Sequence, residues 1–397
     1  MRTAHRIRLG LAVVLGATWV AAQAAVAAVV LPLSIVDNRP FVDVTIDGQG
    51  PFAFIVDTGS SETTVSAATA ARLRLPRVST GTGTGAGEQA LAFPVVHVRA
   101  LRVGTVSLGA LDAPAFDVGV LSRAMGFARF DGVLGVELFR DRVVTLDTGA
   151  RTLTVEAPDA FHPPEGAVAV PFRLDQNGMP LVDATVQGEA GVFQVDTGDR
   201  FSLTLFGAFW RERGLDARLG PLVEAMTGYG GGGPIRARVG RAAACSIGDV
   251  ALAPPVTRLS LQKAGGFART DRAGSVGMGV LGRYRVSFDY PHQVMWLARR
   301  ADSDAPEHYD RSGMWLGLGE AAGLRVMDVV AGGPAAQAGI RVGDRVERVG
   351  ALPGDAATLA AIRALLRTPD LADVPVVIRR ADALRQVRIA LRDLIAP

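Results

Sequence analysis

Two aspartates stand in nearly the same setting in this 397-residue chain. Asp57 closes the apolar run Phe52-Ala53-Phe54-Ile55-Val56 and precedes Thr58-Gly59-Ser60; Asp196 closes Val192-Phe193-Gln194-Val195 and precedes Thr197-Gly198-Asp199. Two carboxylates held about one hydrogen bond apart cannot both ionise, so one proton is shared across the pair. The ionised member then takes a proton from water while the protonated one donates to a carbonyl oxygen, chemistry that needs neither metal nor covalent intermediate. Other chemistries find little footing. Five scattered histidines and the single Cys245 form no HExxH, CxxC or other ligand cluster, so neither a metal nor any other cofactor is expected. No Gly-x-Ser-x-Gly elbow is present. Gly228, Gly230 and Gly233 have the GxGxxG spacing, but Pro234 follows them and no strand–helix–strand context surrounds them, which excludes a dinucleotide site.

The elements that would position these acids recur. Pro40–Ile46, a turn at 47–51 and Phe52–Asp57 read as a β-hairpin by alternation and turn residues, and Pro180–Val186, a turn at 187–191 and Val192–Asp196 read the same way. Downstream, Gly132-Val133-Leu134-Gly135 reappears as Gly279-Val280-Leu281-Gly282, and each is followed by a strand ending in an acid, Asp147 or Asp289. The offsets between halves are 139 (196 − 57), 147 (279 − 132) and 142 (289 − 147), as expected of a duplicated all-β unit with loop insertions. A third Asp-Thr-Gly, at 147–149, is paired with Asp289-Tyr290-Pro291 and reads as a hairpin turn. Each half also carries a glycine-rich stretch after its acid, 81–87 and 228–233, read as a hairpin flap over a bound chain rather than a plain surface loop.

The two Asp-Thr-Gly hairpins, each with a downstream Gly-Val-Leu-Gly, resemble the two lobes of an aspartic peptidase, over residues 30–300. The lobes are closer in size to the compact retropepsin type than to the larger pepsin type. The resemblance implies a dyad of Asp57 and Asp196. It implies that Thr58 and Thr197 tie the two loops by crossed hydroxyl bonds, that Gly59 and Gly198 permit the tight turn, and that Ser60 donates to the outer oxygen of Asp57. The second half departs where Asp199 stands in place of that hydroxyl; an ionised Asp199 favours the proton on Asp196 unless it turns toward Arg200 or solvent. Gly83, Gly85, Tyr229 and Gly230 are the flap residues expected to meet substrate.

From Met314 to Asp344, with Gly333-Pro334-Ala335-Ala336-Gln337-Ala338-Gly339-Ile340, the chain resembles a bacterial PDZ domain. Residues 359–366 would be its groove helix, strands near 376–378 and 387–391 would complete a small barrel, and Leu316-Gly317-Leu318 would receive a terminal carboxylate. The expected fold is therefore mainly β: a signal peptide at 1–27, two tandem acid-protease-type lobes at 28–160 and 161–300 forming a cleft, a polar linker at 301–310 and a PDZ domain at 311–397. Arg2, Arg6 and Arg8 ahead of an apolar run, with small-residue cleavage patterns up to Ala27, predict export to periplasm or medium. An uncleaved anchor is the alternative, and cleavage leaves no stable membrane span. The formal charge of +3 carries no block of like charges, so nucleic acid is not an expected partner. The implied function is an endopeptidase acting on exported polypeptides as a monomer, with peptide or protein C-termini at the PDZ domain. The alternatives are a peptide-binding protein with a degenerate second lobe, and lobes that pair with copies in another chain.

Overall fold

The computed structural model describes residues 28–319 and 323–396, and the predicted export segment at 1–27 lies outside them. The fold is mainly β, with four sheets and short helices. Strict alternation builds the first sheet: along Gln49–Val56, Phe52, Phe54 and Val56 enter the core, while Ala53 and Ile55 face the opposite side. Arg39–Ile46 pairs antiparallel with this strand, and Gly132–Leu134 runs parallel on its other edge. The order continues with Thr64–Ser66, Val106–Phe116, Ala90–Val103 and Arg77–Thr84.

The second half builds the same order from Pro180–Val186, Glu189–Val195, Gly274–Val276, Leu203–Leu205, Val256–Ser260, Gly233–Arg241 and Val223–Gly230. This correspondence corrects one sequence pairing. Gly132-Val133-Leu134-Gly135 is a strand and turn, whereas Gly279-Val280-Leu281-Gly282 begins inside the helix Met278–Leu281. The true counterpart is Gly274-Ser275-Val276-Gly277, at an offset of 142 (274 − 132) that matches the later acids. Packing explains why glycine recurs there. A Cβ on Gly132 would strike the Thr64 carbonyl and the Phe54 ring, and one on Gly274 would strike the Thr204 carbonyl and the Phe193 ring.

A six-stranded antiparallel sheet joins the halves through Val143–Asp147 and Tyr284–Asp289, with the Thr145 hydroxyl donating to Ser287 Oγ at 2.7 Å. Asp147 closes a turn by accepting from the Gly149 and Ala150 amides, which makes the third Asp-Thr-Gly a hairpin corner. The C-terminal sheet has Met314–Leu318 at its edge, followed by Leu324–Val329, Arg345–Val349, Asp373–Arg380 and Ala383–Ala390, and the helix Leu359–Leu365 packs into its core.

The segment at 301–310 does not behave as a free linker. Glu307 accepts from the Ser202 hydroxyl and the Val256 amide, and its carbonyl accepts from Arg241, while Arg283 holds the Ser303 and Ala305 carbonyls. Asp302 and Asp304 stay largely exposed while pairing with Arg300 and Arg299 of the second half.

Candidate active site

Each acid sits at the end of a strand whose next amide bonds across to the parallel neighbour. The Asp57 amide donates to the Leu134 carbonyl at 3.0 Å, and the Asp196 amide donates to the Val276 carbonyl at 2.9 Å. Parity then places Asp57 on the face of Ala53 and Ile55, and Asp196 on the face of Gln194. The two threonines lock the loops together. The Thr58 hydroxyl donates to the Val195 carbonyl (2.8 Å) and accepts from the Thr197 amide (3.1 Å), while the Thr197 hydroxyl donates to the Val56 carbonyl (2.7 Å) and accepts from the Thr58 amide (3.0 Å). Both threonines are buried, so these four bonds are expensive to break.

The loops bring the two carboxyls within hydrogen-bonding reach of one another. Gly59 and Gly198 are required by that approach. A Cβ on Gly59 would lie 2.5 Å from Asp196 Cγ, and one on Gly198 would overlap the Asp57 carboxylate. Asp57 Oδ1 accepts from the Gly59 amide at 2.8 Å and the Gly198 amide at 3.2 Å. Burial pushes the Asp57 carboxyl up, against these amides and the charge of Arg39. Burial, then the charges of Asp57 and Asp199, raise Asp196 well above the usual carboxylate range. Of the two, Asp196 is pushed further up.

Several neighbours differ from expectation. The Ser60 hydroxyl donates to the Glu62 carbonyl at 2.8 Å, not to Asp57, because the loop offers it a nearer acceptor two residues on. Asp199 turns neither to Arg200 nor to solvent. It takes Arg258 Nη2 at 2.6 Å, and both side chains are almost wholly buried, at 3% and 1% exposure. Gln194 Nε2 donates to Asp196 Oδ2 at 3.3 Å and its amide oxygen accepts from Arg272, so the second acid has a polar support where the first half places Ile55. Sequence reasoning missed Gln194 and Arg258; the signal available was a polar residue at a buried parity position in each strand. Cys245 is buried, and burial pushes its thiol up to about 12, which removes it as a nucleophile at neutral pH.

The glycine-rich stretches form two hairpins whose tips meet. The Gly87 amide donates to the Gly231 carbonyl at 2.8 Å, and the Gln89 amide donates to the Gly232 carbonyl at 3.0 Å. Gly85 and Gly87 lie directly against Gly231 and Gly232, where no Cβ fits, and Gly230 is equally close to Ala86. Gly83 stacks on the Phe93 ring. Tyr229 leans onto Phe41, Ile55, Met125 and Phe127, the apolar cluster on the dyad face of the first sheet.

Residues 42–138 match a family model described as aspartyl protease, and residues 325–380 match one described as PDZ domain. The chain carries an aspartyl protease domain and a PDZ domain. The first match includes Asp57 and stops before Asp196. No curated protein matches the chain.

The PDZ groove is not open as the sequence suggested. The edge strand Met314–Leu318 faces the turn that ends the helix Gly119–Met125, with the Trp315 indole N–H donating to the Ala124 carbonyl at 3.1 Å. Gly317 lies against the Arg123 and Ala124 carbonyls, and Gly126 presses on Leu359 of the groove helix. Leu316 points into the PDZ core and Leu318 packs beside it, so of the three residues expected to receive a carboxylate it is Gly317 that faces the 123–124 backbone.

Proposed function

We propose that the chain is an aspartic endopeptidase whose two lobes, 28–160 and 161–300, present Asp57 and Asp196 as one general acid/base pair. The observation that carries this reading is the crossed threonine network, which holds two carboxyls in reach of one proton. With Asp57 ionised and Asp196 protonated, a water between them loses a proton to Asp57 while Asp196 donates to the scissile carbonyl oxygen, giving a tetrahedral intermediate. Its collapse breaks the C–N bond as a carboxyl passes a proton to the leaving amine. The two glycine hairpins close over an extended chain, and its backbone supplies the recognition.

The substrate class is exported polypeptide, in keeping with the export segment read at 1–27; N-terminal sequencing of the mature protein tests that placement. The alternative of a non-catalytic, peptide-holding second lobe starts from Asp199; its carboxylate is paired with Arg258 at 2.6 Å and still contributes to raising Asp196, which suits a proton-holding partner rather than a degenerate one. The decisive experiment incubates the purified protein and its Asp57→Asn and Asp196→Asn variants with an unfolded protein across acid to neutral pH. Each substitution is expected to reduce cleavage by about 10³-fold or more. Equal cleavage by all three assigns the activity elsewhere.

A further inference from the structure

The turn between Ser34–Val36 and Arg39–Ile46 reaches from the first lobe to the acid loop of the second. Asp37 and Asn38 adopt φ of 48° and 59°, a conformation their short polar side chains tolerate. From this turn Arg39 Nε donates to the Gly198 carbonyl at 2.7 Å, and Asn38 Nδ2 donates to the Arg200 carbonyl at 2.6 Å. The Asp37 carboxylate, 4% exposed, gathers three guanidinium groups: Arg39 at 2.9 Å, Arg200 at 2.8 Å and Arg363 at 2.7 Å. Arg363 belongs to the PDZ groove helix.

One peptide group links this cluster to the dyad. Gly198 C=O and Asp199 N–H belong to the same planar unit, so fixing one end fixes the other. Arg39 holds the oxygen, and the Asp199 amide donates to Asp196 Oδ1 at 2.9 Å. The first lobe has no equivalent: the residue at the matching place before Pro180–Val186 is Met179, whose side chain cannot donate.

Arg363 also spans the PDZ groove. Its Nη2 donates to the Leu316 carbonyl on the edge strand at 2.7 Å, and its Nη1 donates to the Met125 carbonyl at 3.0 Å. Trp315 packs against both Arg200 and Arg363, with each guanidinium carbon 5.0 Å from the ring centroid. A peptide adding to this edge needs the Leu316 carbonyl and the space that Arg363 and the Ala124–Gly126 turn now fill.

We propose that Asp37 and Arg39 are positioning residues for Asp196, and that Arg363 completes their clamp from the PDZ domain, so that a peptide in the PDZ groove and the clamped acid loop exclude one another. This rests on the peptidase reading for its catalytic consequence, but the clamp itself is testable without activity. Burial works to raise the Asp37 carboxyl, yet the charges of Arg200, Arg363 and Arg39 together outweigh it and hold it below its ordinary value.

The test compares the full chain with Arg363→Met, Arg363→Lys, Arg39→Met and, as a control, Arg348→Met, whose side chain is exposed elsewhere on the PDZ domain. Amide hydrogen exchange is followed at 196–200 and 123–127, and cleavage of an unfolded protein gives kcat and KM. In Arg363→Met, exchange at both segments is expected to rise and kcat to fall about 10-fold with KM little changed; Arg39→Met loses about 10²-fold in kcat. Arg363→Lys restores part of both, since its charge still reaches Asp37, and the control changes neither. Unchanged exchange at 196–200 in Arg363→Met, including the case in which only 123–127 loosens, overturns the coupling. Should the parent cleave nothing, the peptidase reading fails while the exchange comparison still decides the clamp.

Discussion

Asymmetry between two nominally equal carboxyls is the central feature at the scale of single residues. Asp57 takes two backbone amides on one oxygen and lies within the field of Arg39, whereas Asp196 lies beside the charge of Asp199. The folded chain therefore prefers one ionisation pattern over its mirror image. In the proposed dyad, the alkaline limb of activity is the loss of the shared proton, and it follows the direction in which Asp196 is raised. Asp199→Asn removes a negative charge that raises Asp196 and leaves Arg258 in place, so the alkaline limb of kcat/KM is expected to move to lower pH. A pH–rate profile measured on an unfolded substrate checks this; a limb that stays put shows that Arg258 already screens Asp199 from the dyad. The Arg258–Asp199 pair was not legible in the sequence, because strand parity marks Arg258 only as an oddity among Val256, Leu259 and Ser260 and cannot say which acid it meets.

Among the elements, the two glycine hairpins meet each other, and in the proposed peptidase they cover the dyad. Their tips join through two backbone hydrogen bonds and through contacts that admit no Cβ. Gly265 adds to this from the second lobe: its φ of 81° suits glycine, and a Cβ there would collide with the Gly87 carbonyl. Gly87→Ala is expected to prise the tips apart, raising KM for a polypeptide several-fold while kcat falls less, since the dyad lies on other strands. Steady-state kinetics on one substrate separate the two parameters, and an unchanged KM would show that tip contact plays no part in holding substrate. Composition and position revealed these hairpins in the sequence, yet their meeting was not readable, because nothing local sets the distance between two loops more than 140 residues apart (231 − 87).

For the whole molecule, the proposed dyad depends on how the two halves are held relative to each other. The six-stranded sheet does this beneath the acids, with Thr145 and Ser287 bonded at the centre of the pair that crosses from lobe to lobe. Both side chains are fully buried, so Ser287→Ala leaves the Thr145 hydroxyl without its partner and costs about 1–3 kcal/mol, whereas Thr145→Val with Ser287→Ala together comes closer to neutral. Denaturant unfolding of the two single variants and the double variant closes this cycle; simple additivity would mean that the bond contributes nothing. The PDZ domain adds a second brace. Asp328 accepts from the Met226 amide at 2.7 Å and from Arg236 at 3.2 Å on the second flap hairpin, and Val330 and Ile395 pack with Phe201 and Val223 of the second lobe.

The mainly β fold, the two acid hairpins, the turn role of Asp147 and the PDZ-like run were all readable from the chain, because each depends on alternation, turn chemistry or spacing within a few tens of residues. Identity of letters failed where geometry ruled: Gly279-Val280-Leu281-Gly282 copies its partner in spelling, but the tight space beside Thr204 and Phe193 belongs to Gly274. Only the tertiary structure decided that Asp199 meets Arg258, that Ser60 turns to Glu62, that 301–310 is strapped to the second lobe and that the PDZ groove is filled from within. These outcomes depend on which side chains arrive at one place from distant parts of the chain. A charge records its sign in the sequence, but its partner is chosen by packing.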